Sequence, residues 1–419
     1  MSFFGSRWVR RPDHVTELAP SALPAGFRAA GVHAGIKPPG EGGVPGALDV
    51  GLLVSDREQT TSAARFCDNA LVGAPVAVTS EARLDGLRAL LANSGNSNVA
   101  DGDRGLATAR ASQQAAAAAL GVDSDRVALA STGVIGRELP RAALLAGAEA
   151  CTAALGDDAG DFSEAILTTD KGPKRACLEV ALPSGQTVRL AGQAKGAGMI
   201  SPRFATMFCF VQTDAALEAA TVDLLTGVCV KRSFDRISVD GQLSTSDTVI
   251  VMANGASGVQ VAAESPDELA LGEAIDALMR QLALELVADG EGATRVGRVH
   301  VRGAAEAVEP VARAVADSPL VKSALLGADP NFGRILQSVG QALGAGTPFV
   351  VDLAIEGIPV CSAGVVLDLD AETWRKLECA VESPEVDIDL SLPGAGGSTE
   401  VFFSDLTHEY VRINSEYST

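Results

Sequence analysis

The chain has 419 residues, of which 47% are hydrophobic and 21% charged, and its length predicts two or three lobes around a large core. Its net charge is −20 and no basic stripe is present, which argues against nucleic-acid binding because phosphate neutralisation needs clustered Lys and Arg. No run approaches the about 18 apolar residues of a membrane helix, and the basic start lacks the apolar stretch of a secretory signal.

The number and spacing of the cysteines and histidines limit which catalytic mechanisms the chain can use. The seven cysteines are scattered without metal-binding spacing, which predicts reduced thiols in a cytoplasmic protein. The four histidines form no cluster, and nothing in the sequence indicates a Ser-His-Asp arrangement. A catalytic device that needs no histidine therefore fits this chain better.

In chain order, residues 1–45 are rich in Gly and Pro and predict loops, and residues 47–54 predict a buried strand. Further strands are predicted near 127–131, 176–182, 187–191, 298–302, 348–354 and 400–403. Helices are predicted near 105–120, 140–155, 214–227, 267–288 and 304–316. This mixture of strands and helices favours an α/β or α+β architecture.

The dipeptide Ala205-Thr206 is the strongest candidate for the chemistry. A threonine within the chain is a poor nucleophile because no base is supplied to its hydroxyl. If the bond before Thr206 is cut, the residue gains an α-amine with a pKa of about 8 that can take the hydroxyl proton. Gly196 and Gly198 upstream would let the backbone bend for such a cut, or would simply form a turn before a core strand.

Other motifs each have a functional and a structural interpretation. In Thr132-Gly133 a hydroxyl and an amide are suited to donate two converging hydrogen bonds to an oxyanion, but the pair equally suits a strand-ending turn. Residues 168–174 suit a zwitterionic amino acid or an exposed strand-to-loop junction. Glu291 is suited to hold an ammonium group or to be solvated. Residues 93–98, with three Asn, predict a turn, and residues 414–419 predict a frayed end.

Taken together, the order and spacing of these motifs resemble the ornithine acetyltransferase family, the glutamate N-acetyltransferase of cyclic arginine biosynthesis. The resembling segments are 31–37, 66–69, 74–76, 93–96, 131–136, 168–170, 173–174, 195–207, 237–240, 244–248, 253–255, 289–293, 318–322, 329–334, 405–410 and 414–419. The resemblance implies an α/β (α+β) sandwich of the self-processing type shared with DmpA-like aminopeptidases, with an N-terminal nucleophile.

The resemblance also implies a cut between Ala205 and Thr206 into an α chain, 1–205, and a β chain, 206–419, which assemble as α2β2. It implies Thr206 as nucleophile, with the Thr132 hydroxyl and the Gly133 amide as oxyanion donors. The implied substrate contacts are Thr169, Lys195, Thr206, Glu291, Asn414 and Thr419. The implied reaction is ping-pong transfer of acetyl from N-acetylornithine to glutamate, without metal or cofactor.

Two substrate contacts have expected roles. Glu291 is expected to pair with the side-chain ammonium of ornithine. Lys195 is expected to meet a carboxylate or the reacting carbonyl.

Several alternatives stay open from the sequence. Phe204, Phe332 and residues 96–102 depart from the family pattern, so a relative in a specialised-metabolite pathway, acting on another N-acyl amino acid, remains an alternative. The same fold with water as acceptor would be an aminopeptidase or amidase, although that group typically uses serine. A non-enzymatic binding protein is disfavoured because Thr206, Thr132 and Gly133 are all present. The resemblance also leaves acetyl-CoA open as a second donor.

Overall fold

The computed structural model of the chain describes residues 2–37, 46–201 and 207–416. In chain order the strands are β1 (Val15–Glu17), β2 (Phe27–Val32), β3 (Val50–Ser55), β4 (Thr61–Phe66), β5 (Ala89–Asn96), β6 (Val127–Val134), β7 (Lys174–Ala181), β8 (Thr187–Lys195), β9 (Phe208–Thr213), β10 (Ile237–Ser238), β11 (Thr248–Ala253), β12 (Val296–Ala304), β13 (Asp352–Ile355), β14 (Ile358–Ser362), β15 (Val365–Val366), β16 (Glu385–Ser391) and β17 (Gly396–Ser404). The α-helices are α1 (Ala74–Ser80), α2 (Gly102–Leu120), α3 (Arg141–Ala154), α4 (Gly160–Ala165), α5 (Ala219–Arg232), α6 (Pro266–Ala288), α7 (Ala305–Ala316), α8 (Pro319–Leu326), α9 (Phe332–Leu343), α10 (Ala371–Ala380) and α11 (His408–Glu416).

These strands form three sheets within the described ranges. A six-stranded sheet has the order β1-β7-β8-β9-β11-β4, and a four-stranded sheet has the order β2-β3-β5-β6. A seven-stranded sheet has the order β10-β17-β12-β16-β13-β14-β15. At the centre of the six-stranded sheet, β8 runs antiparallel to β9 with Lys195 opposite Phe208, and β9 runs parallel to β11.

The six-stranded and four-stranded sheets pack face to face across a core that contains Phe208, Phe210, Leu53 and Leu90. Helices α1, α2 and α3 cover the outer face of the four-stranded sheet, and α5 and α6 cover the outer face of the six-stranded sheet. The result is a four-layer helix–sheet–sheet–helix sandwich, which confirms the predicted α/β architecture. The seven-stranded sheet packs against α7, α8, α9 and α10 around a separate core.

Local sequence accounts for the helix boundaries that matter most. Helix α6 begins where the Ser265 side chain accepts a hydrogen bond from the Glu268 amide, and Pro266 occupies its first turn. Helix α2 ends at Gly121, whose φ of 67° is the left-handed conformation of a helix C-cap. None of the helices in the described ranges combines the length and apolar character that a membrane span needs.

Three predictions about secondary structure are wrong. Residues 1–45 contain strands β1 and β2 as well as loops. The helix predicted at 214–227 begins only after Glu218, because the Asp214 carboxylate accepts hydrogen bonds from the amides of Arg189 and Ala25 and so holds this stretch in a turn. Residues 93–96, predicted as a turn, are the buried end of β5.

Long-range hydrogen bonds explain why this polar strand is stable in the core. The Asn93 side chain accepts a hydrogen bond from Ser131 Oγ at 2.6 Å and donates to the Asn96 carbonyl at 2.9 Å. Ser94 Oγ donates to the Ala165 carbonyl at 2.6 Å. Each buried polar group therefore has a partner supplied by the fold, which offsets the cost of removing it from water.

Candidate active site

A cavity of about 240 Å³ lies where the ends of β6 and β8 meet the loop before β7 and helix α11. Six of the residues predicted from the sequence line it, namely Thr132, Gly133, Thr169, Lys195, Glu291 and Asn414. The other three, Ala205, Thr206 and Thr419, lie outside the described residues. The fold thus brings together residues that are far apart in the sequence.

Thr132 and Gly133 belong to β6, which runs parallel to β5 with Gly133 opposite Gly95. Thr132 is buried, with 2% of its surface exposed. Gly133 has a φ of 124°, and a Cβ there would lie 2.5 Å from the carbonyl carbon of Gly95. Only glycine satisfies both constraints, so this position is fixed by the close approach of two strands and not by a turn after β6.

Lys195 ends β8 and is almost completely buried, with 1% of its surface exposed. Its ammonium group donates hydrogen bonds to Thr132 Oγ1 at 3.2 Å and to Thr168 Oγ1 at 3.0 Å. It also lies 5.9 Å from the centre of the Phe208 ring. The lysine therefore links the six-stranded sheet to β6 of the four-stranded sheet at the wall of the cavity.

Asp170 connects the groups around this lysine. Its Oδ1 accepts hydrogen bonds from the Gly196 amide at 2.7 Å and from Lys174 Nζ at 2.8 Å, and its Oδ2 accepts from the Thr168 amide at 3.1 Å. Lys174 also forms an ion pair with Asp289. Asp170 and Lys174 thus form a buried charge network, whereas Lys171 of the same segment is exposed. The segment follows helix α4 and leads into β7, so the prediction that it ends a strand is wrong.

The charges of this network act on one another. Burial alone would raise the pKa of Asp170, but the ammonium groups of Lys195 and Lys174 outweigh burial and hold it well below its ordinary value. Burial lowers the pKa of Lys195, and the Asp170 carboxylate opposes that change. The carboxylate is therefore ionised whenever the protein is near neutral pH.

Glu291 also lines the cavity. It follows α6, its amide donates to the Ala197 carbonyl at 2.8 Å, and only 8% of its surface is exposed. Its Oε1 accepts a hydrogen bond from Thr169 Oγ1 at 2.8 Å, and its Oε2 accepts from Asn414 Nδ2 at 2.7 Å. Up to Glu416 the C-terminal segment is therefore helix α11, and the prediction of a frayed end is wrong for these residues.

Sequence reasoning missed several polar residues of the cavity. Asp240 accepts hydrogen bonds from the amides of Met199 at 2.6 Å and Ile200 at 2.9 Å, and from Tyr410 Oη at 3.3 Å. Both Asp240 and Tyr410 line the cavity. Asp240 and Tyr410 lie in segments 237–240 and 405–410, which resemble the family, and this location could have identified them from the sequence.

Another buried carboxyl group, Asp247, holds the backbone at the start of β9. Its Oδ1 accepts a hydrogen bond from the Met207 amide at 2.9 Å, and the Thr248 amide donates to the Met207 carbonyl at 3.2 Å. Burial raises the pKa of Asp247 well above its usual range. Met207 is covalently bonded to Thr206, so this clamp fixes the chain directly after the predicted nucleophile.

The geometry suits a small zwitterion such as an amino acid. Glu291 offers a nearly buried carboxylate, Thr132 and Thr169 offer hydroxyl groups, and Lys195 offers a positive charge within one cavity. Paired charges held in such a low-dielectric site interact more strongly than they would in water. Fold and site together define an α/β sandwich protein whose cavity combines carboxylate, hydroxyl and ammonium groups.

Comparison with known proteins then identifies the family. The sequence matches the model of the ArgJ family over residues 28–419. It is 41% identical over 402 residues to the "Arginine biosynthesis bifunctional protein ArgJ" of Nitratidesulfovibrio vulgaris, covering 95% of this chain and 99% of that protein. The chain belongs to the ArgJ family, which confirms the resemblance described above.

Two solved structures are also similar to this chain. The crystal structure of arginine biosynthesis bifunctional protein argJ from Bacillus halodurans is 32% identical with a TM-score of 0.46, covering 50% of this chain and 98% of that chain. The crystal structure of ornithine acetyltransferase complexed with ornithine from Mycobacterium tuberculosis is 34% identical with a TM-score of 0.40, covering 46% of this chain and 99% of that chain.

Proposed function

We propose that this chain is a self-cleaving acetyltransferase of arginine biosynthesis that moves the acetyl group of N-acetylornithine to glutamate. The observation that carries the proposal is the convergence of Thr132, Gly133, Lys195 and Glu291 on one cavity in a chain of the ArgJ family. The names of its relatives place them in arginine biosynthesis and call them bifunctional. Acetyl-CoA as a second donor would be consistent with such a name.

In the proposed mechanism, Thr206 becomes the first residue of its own chain by cleavage after Ala205. Its α-amine takes the proton of its hydroxyl, and the hydroxyl oxygen attacks the acetyl carbonyl of N-acetylornithine. The resulting oxyanion accepts hydrogen bonds from the Thr132 hydroxyl and the Gly133 amide. The intermediate then collapses, the bond from acetyl to the ornithine nitrogen breaks, and the Thr206 ammonium returns the proton to the leaving amine.

The second half-reaction reverses these steps with a different amine. The α-amine of glutamate attacks the acetyl ester of Thr206, and the same two donors stabilise the oxyanion. The Thr206 α-amine takes a proton from the attacking amine and gives it to the ester oxygen as the bond from acetyl to that oxygen breaks, which restores the free hydroxyl of Thr206. In this scheme Glu291 binds the side-chain ammonium of ornithine. Thr169 and Asn414 assist because they donate hydrogen bonds that hold the Glu291 carboxylate in place.

The sheet order supports a complex in which both fragments remain together after cleavage. In the six-stranded sheet, β9 and β11 of the proposed β chain lie between β8 and β4 of the proposed α chain. The β8–β9 ladder runs from Leu190 opposite Thr213 to Lys195 opposite Phe208. Separation of the fragments would break two ladders and open the core between the sheets, so we expect a stable αβ pair, with two pairs forming α2β2.

The cysteines support a cytoplasmic location for this enzyme. All seven are unpaired in the structure, and six of them are buried or half-buried. Proteins of oxidising compartments typically pair such residues as disulfides. A reducing compartment is therefore the proposed site of action.

The proposal is tested by intact mass measurement and a transfer assay on the purified protein. The expected products are residues 1–205 and 206–419, and a Thr206→Ala variant is expected to stay uncut and inactive. Incubation with N-acetylornithine and glutamate should yield N-acetylglutamate and ornithine. Release of acetate alone would indicate a hydrolase, and an uncut but fully active wild type would contradict the mechanism.

A further inference from the structure

Among the described residues, the hydrogen-bond partners of the buried Lys195 ammonium group are two hydroxyl groups. Nζ lies 3.2 Å from Thr132 Oγ1 and 3.0 Å from Thr168 Oγ1, and all three residues line the cavity. Lys195 has 1% of its surface exposed, so water has little access to replace these contacts. The arrangement is a feature of the fold, because β6 and β8 belong to different sheets.

Elementary hydrogen-bond chemistry fixes the direction of these contacts. A lysine ammonium has three donors and no acceptor, so Thr132 Oγ1 must accept from it. A threonine hydroxyl that accepts from an ammonium keeps its own proton for a different acceptor. The neighbouring positive charge also polarises the hydroxyl and makes that proton a stronger donor.

We propose that Lys195 is a positioning residue that acts through Thr132, by forcing the Thr132 hydroxyl to accept from the ammonium and to direct its own proton into the cavity. This inference rests on the proposed function, in which Thr132 donates to the oxyanion. A hydroxyl without this contact would rotate among several acceptors and lose orientation. Lys195 thus orders the oxyanion donor before substrate arrives, which is the preorganisation that makes such sites effective.

Asp170 stabilises the backbone that carries Lys195 and Thr168. It accepts from the amide of Gly196, the residue after Lys195, at 2.7 Å, and from the amide of Thr168 at 3.1 Å. The carboxylate therefore fixes both the end of β8 and the loop that carries the second hydroxyl. Its charge also favours the protonated form of Lys195 against the effect of burial on the lysine pKa.

This role differs from the expectation that Lys195 binds a substrate carboxylate or the reacting carbonyl directly. A residue that binds substrate in the ground state and the transition state alike changes KM, whereas a residue that orders an oxyanion donor changes kcat. Two residues that act as one unit also show losses that are not additive. Both properties are measurable.

The test is a double-mutant cycle of Lys195→Met and Thr132→Val in the full-length protein. Rates of acetyl transfer from N-acetylornithine to glutamate are divided by the fraction of protein that intact mass shows to begin at Thr206. Each single variant is expected to lose on the order of a hundredfold in kcat, with KM changed less than about threefold, and the double variant to lose little more than the worse single. Losses that multiply, or a KM for Lys195→Met raised more than about tenfold at unchanged kcat, would overturn the proposal.

Lys322→Met is the matched control for burial. Lys322 is another buried lysine, with 3% of its surface exposed, and its ammonium donates to the Ser404 carbonyl at 2.6 Å, near the seven-stranded sheet. If destabilisation alone caused the kcat loss, this variant would lose kcat too, in proportion to the decrease in its melting temperature. We expect a lowered melting temperature with kcat within about threefold of wild type, since most buried polar losses act on stability.

Two further controls keep the result interpretable. If Lys195→Met is not cut before Thr206, the cycle is repeated with Lys195→Arg, which keeps the charge but moves the donors away from Thr132, and Thr132→Val, which removes the hydroxyl. Non-additive losses are expected again, and additive losses overturn the assignment of Lys195. A wild type that transfers no acetyl contradicts the proposed function itself, whereas an active wild type with additive losses contradicts only this inference.

Discussion

Replacement of Asp170 by asparagine is expected to lower the free energy of unfolding by about 3–5 kcal/mol, the typical loss when one partner of a buried ion pair is removed. The Asp170 carboxylate is fully shielded from solvent, and the Lys174 side chain that pairs with it is 5% exposed. Asparagine is nearly isosteric, so the change removes charge without creating a cavity. It leaves the ammonium groups of Lys195 and Lys174 buried with one fewer negative charge between them, and it places an amide donor near the amide of Gly196.

The loss should depend on pH in a direction that the pKa of Asp170 fixes. The neighbouring ammonium groups hold this pKa below its ordinary value despite burial. A carboxyl group of this kind adds stability above its unfolded pKa of about 3.9 and loses it as the pH falls through the folded pKa. The difference between wild type and Asp170→Asn is therefore expected to be complete at pH 7 and to narrow below about pH 4.

Urea unfolding at pH 7 and at about pH 2.5, followed by the fluorescence of Trp8 and Trp374, measures both effects. Asp289→Asn is the matched control, because Asp289 also pairs with Lys174 but its side chain is 14% exposed. The control is expected to lose about 1–2 kcal/mol, since partial exposure to solvent weakens the pair. A loss of less than about 1 kcal/mol for Asp170→Asn at pH 7, or a loss equal to that of the control, would refute the network described above.

The remaining predictions concern the cavity and one buried acid. A Cβ at Gly198 would lie 2.6 Å from the Glu291 carboxyl carbon, so Gly198→Ala should displace that carboxylate and raise the KM for N-acetylornithine by about 10–100-fold. Gly172→Ala is the control. A Cβ at Gly172 meets no atom within 4 Å, so this variant should change KM less than about twofold. Asn414→Ala removes the 2.7 Å hydrogen bond to Glu291 and a 3.0 Å hydrogen bond to the Tyr410 carbonyl within α11. Glu291 keeps its bond from Thr169, so steady-state kinetics should show a KM rise of about threefold, smaller than for Gly198→Ala. Burial raises the pKa of Glu285 to about 7, so the folded state holds its proton longer than the unfolded state and wild-type stability should fall as pH rises from about 4.5 to 7. Glu285→Gln should remove this slope and stabilise the protein at pH 8 by on the order of 2 kcal/mol, as thermal melts at pH 5 and pH 8 would show.

Local sequence signals predicted the elements that form from short-range interactions. The hairpin of β7 and β8 and the long helix α6 were expected close to their observed bounds, because turn residues and periodic apolar residues are visible in the sequence. Local signals failed at β5, where Asn93, Gly95 and Asn96 have the composition of a turn. Ser131 of the neighbouring strand, the Ala165 carbonyl of α4 and the Arg137 carbonyl supply partners that let this polar segment lie buried, and these partners are distant in the sequence.

The active site shows the same difference between what local sequence predicts and what only the folded chain brings together. The chemistry of an N-terminal threonine could be argued from Ala205-Thr206 alone, and the family resemblance mapped the other contacts onto this chain. The link from Lys195 to Thr132 could not be predicted, because the two residues are 63 positions apart and meet only through the packing of two sheets. Reading the sequence alone therefore assigned the lysine to the substrate, whereas the structure shows two of its donors occupied by hydroxyl groups.

The placement of the cavity also bears on the order of folding and cleavage. Residues of the proposed α chain, such as Thr132 and Lys195, and residues of the proposed β chain, such as Glu291 and Asn414, line the same space. The strands β9 and β11 lie between strands that precede the proposed cleavage point, so separate fragments would have to insert them into a preformed sheet. Bringing two chains together costs translational and rotational freedom that a continuous chain does not lose. Under the proposed mechanism, folding before cutting avoids that cost, and it brings Thr132 and Gly133 into one cavity with Glu291 before Thr206 becomes a terminus.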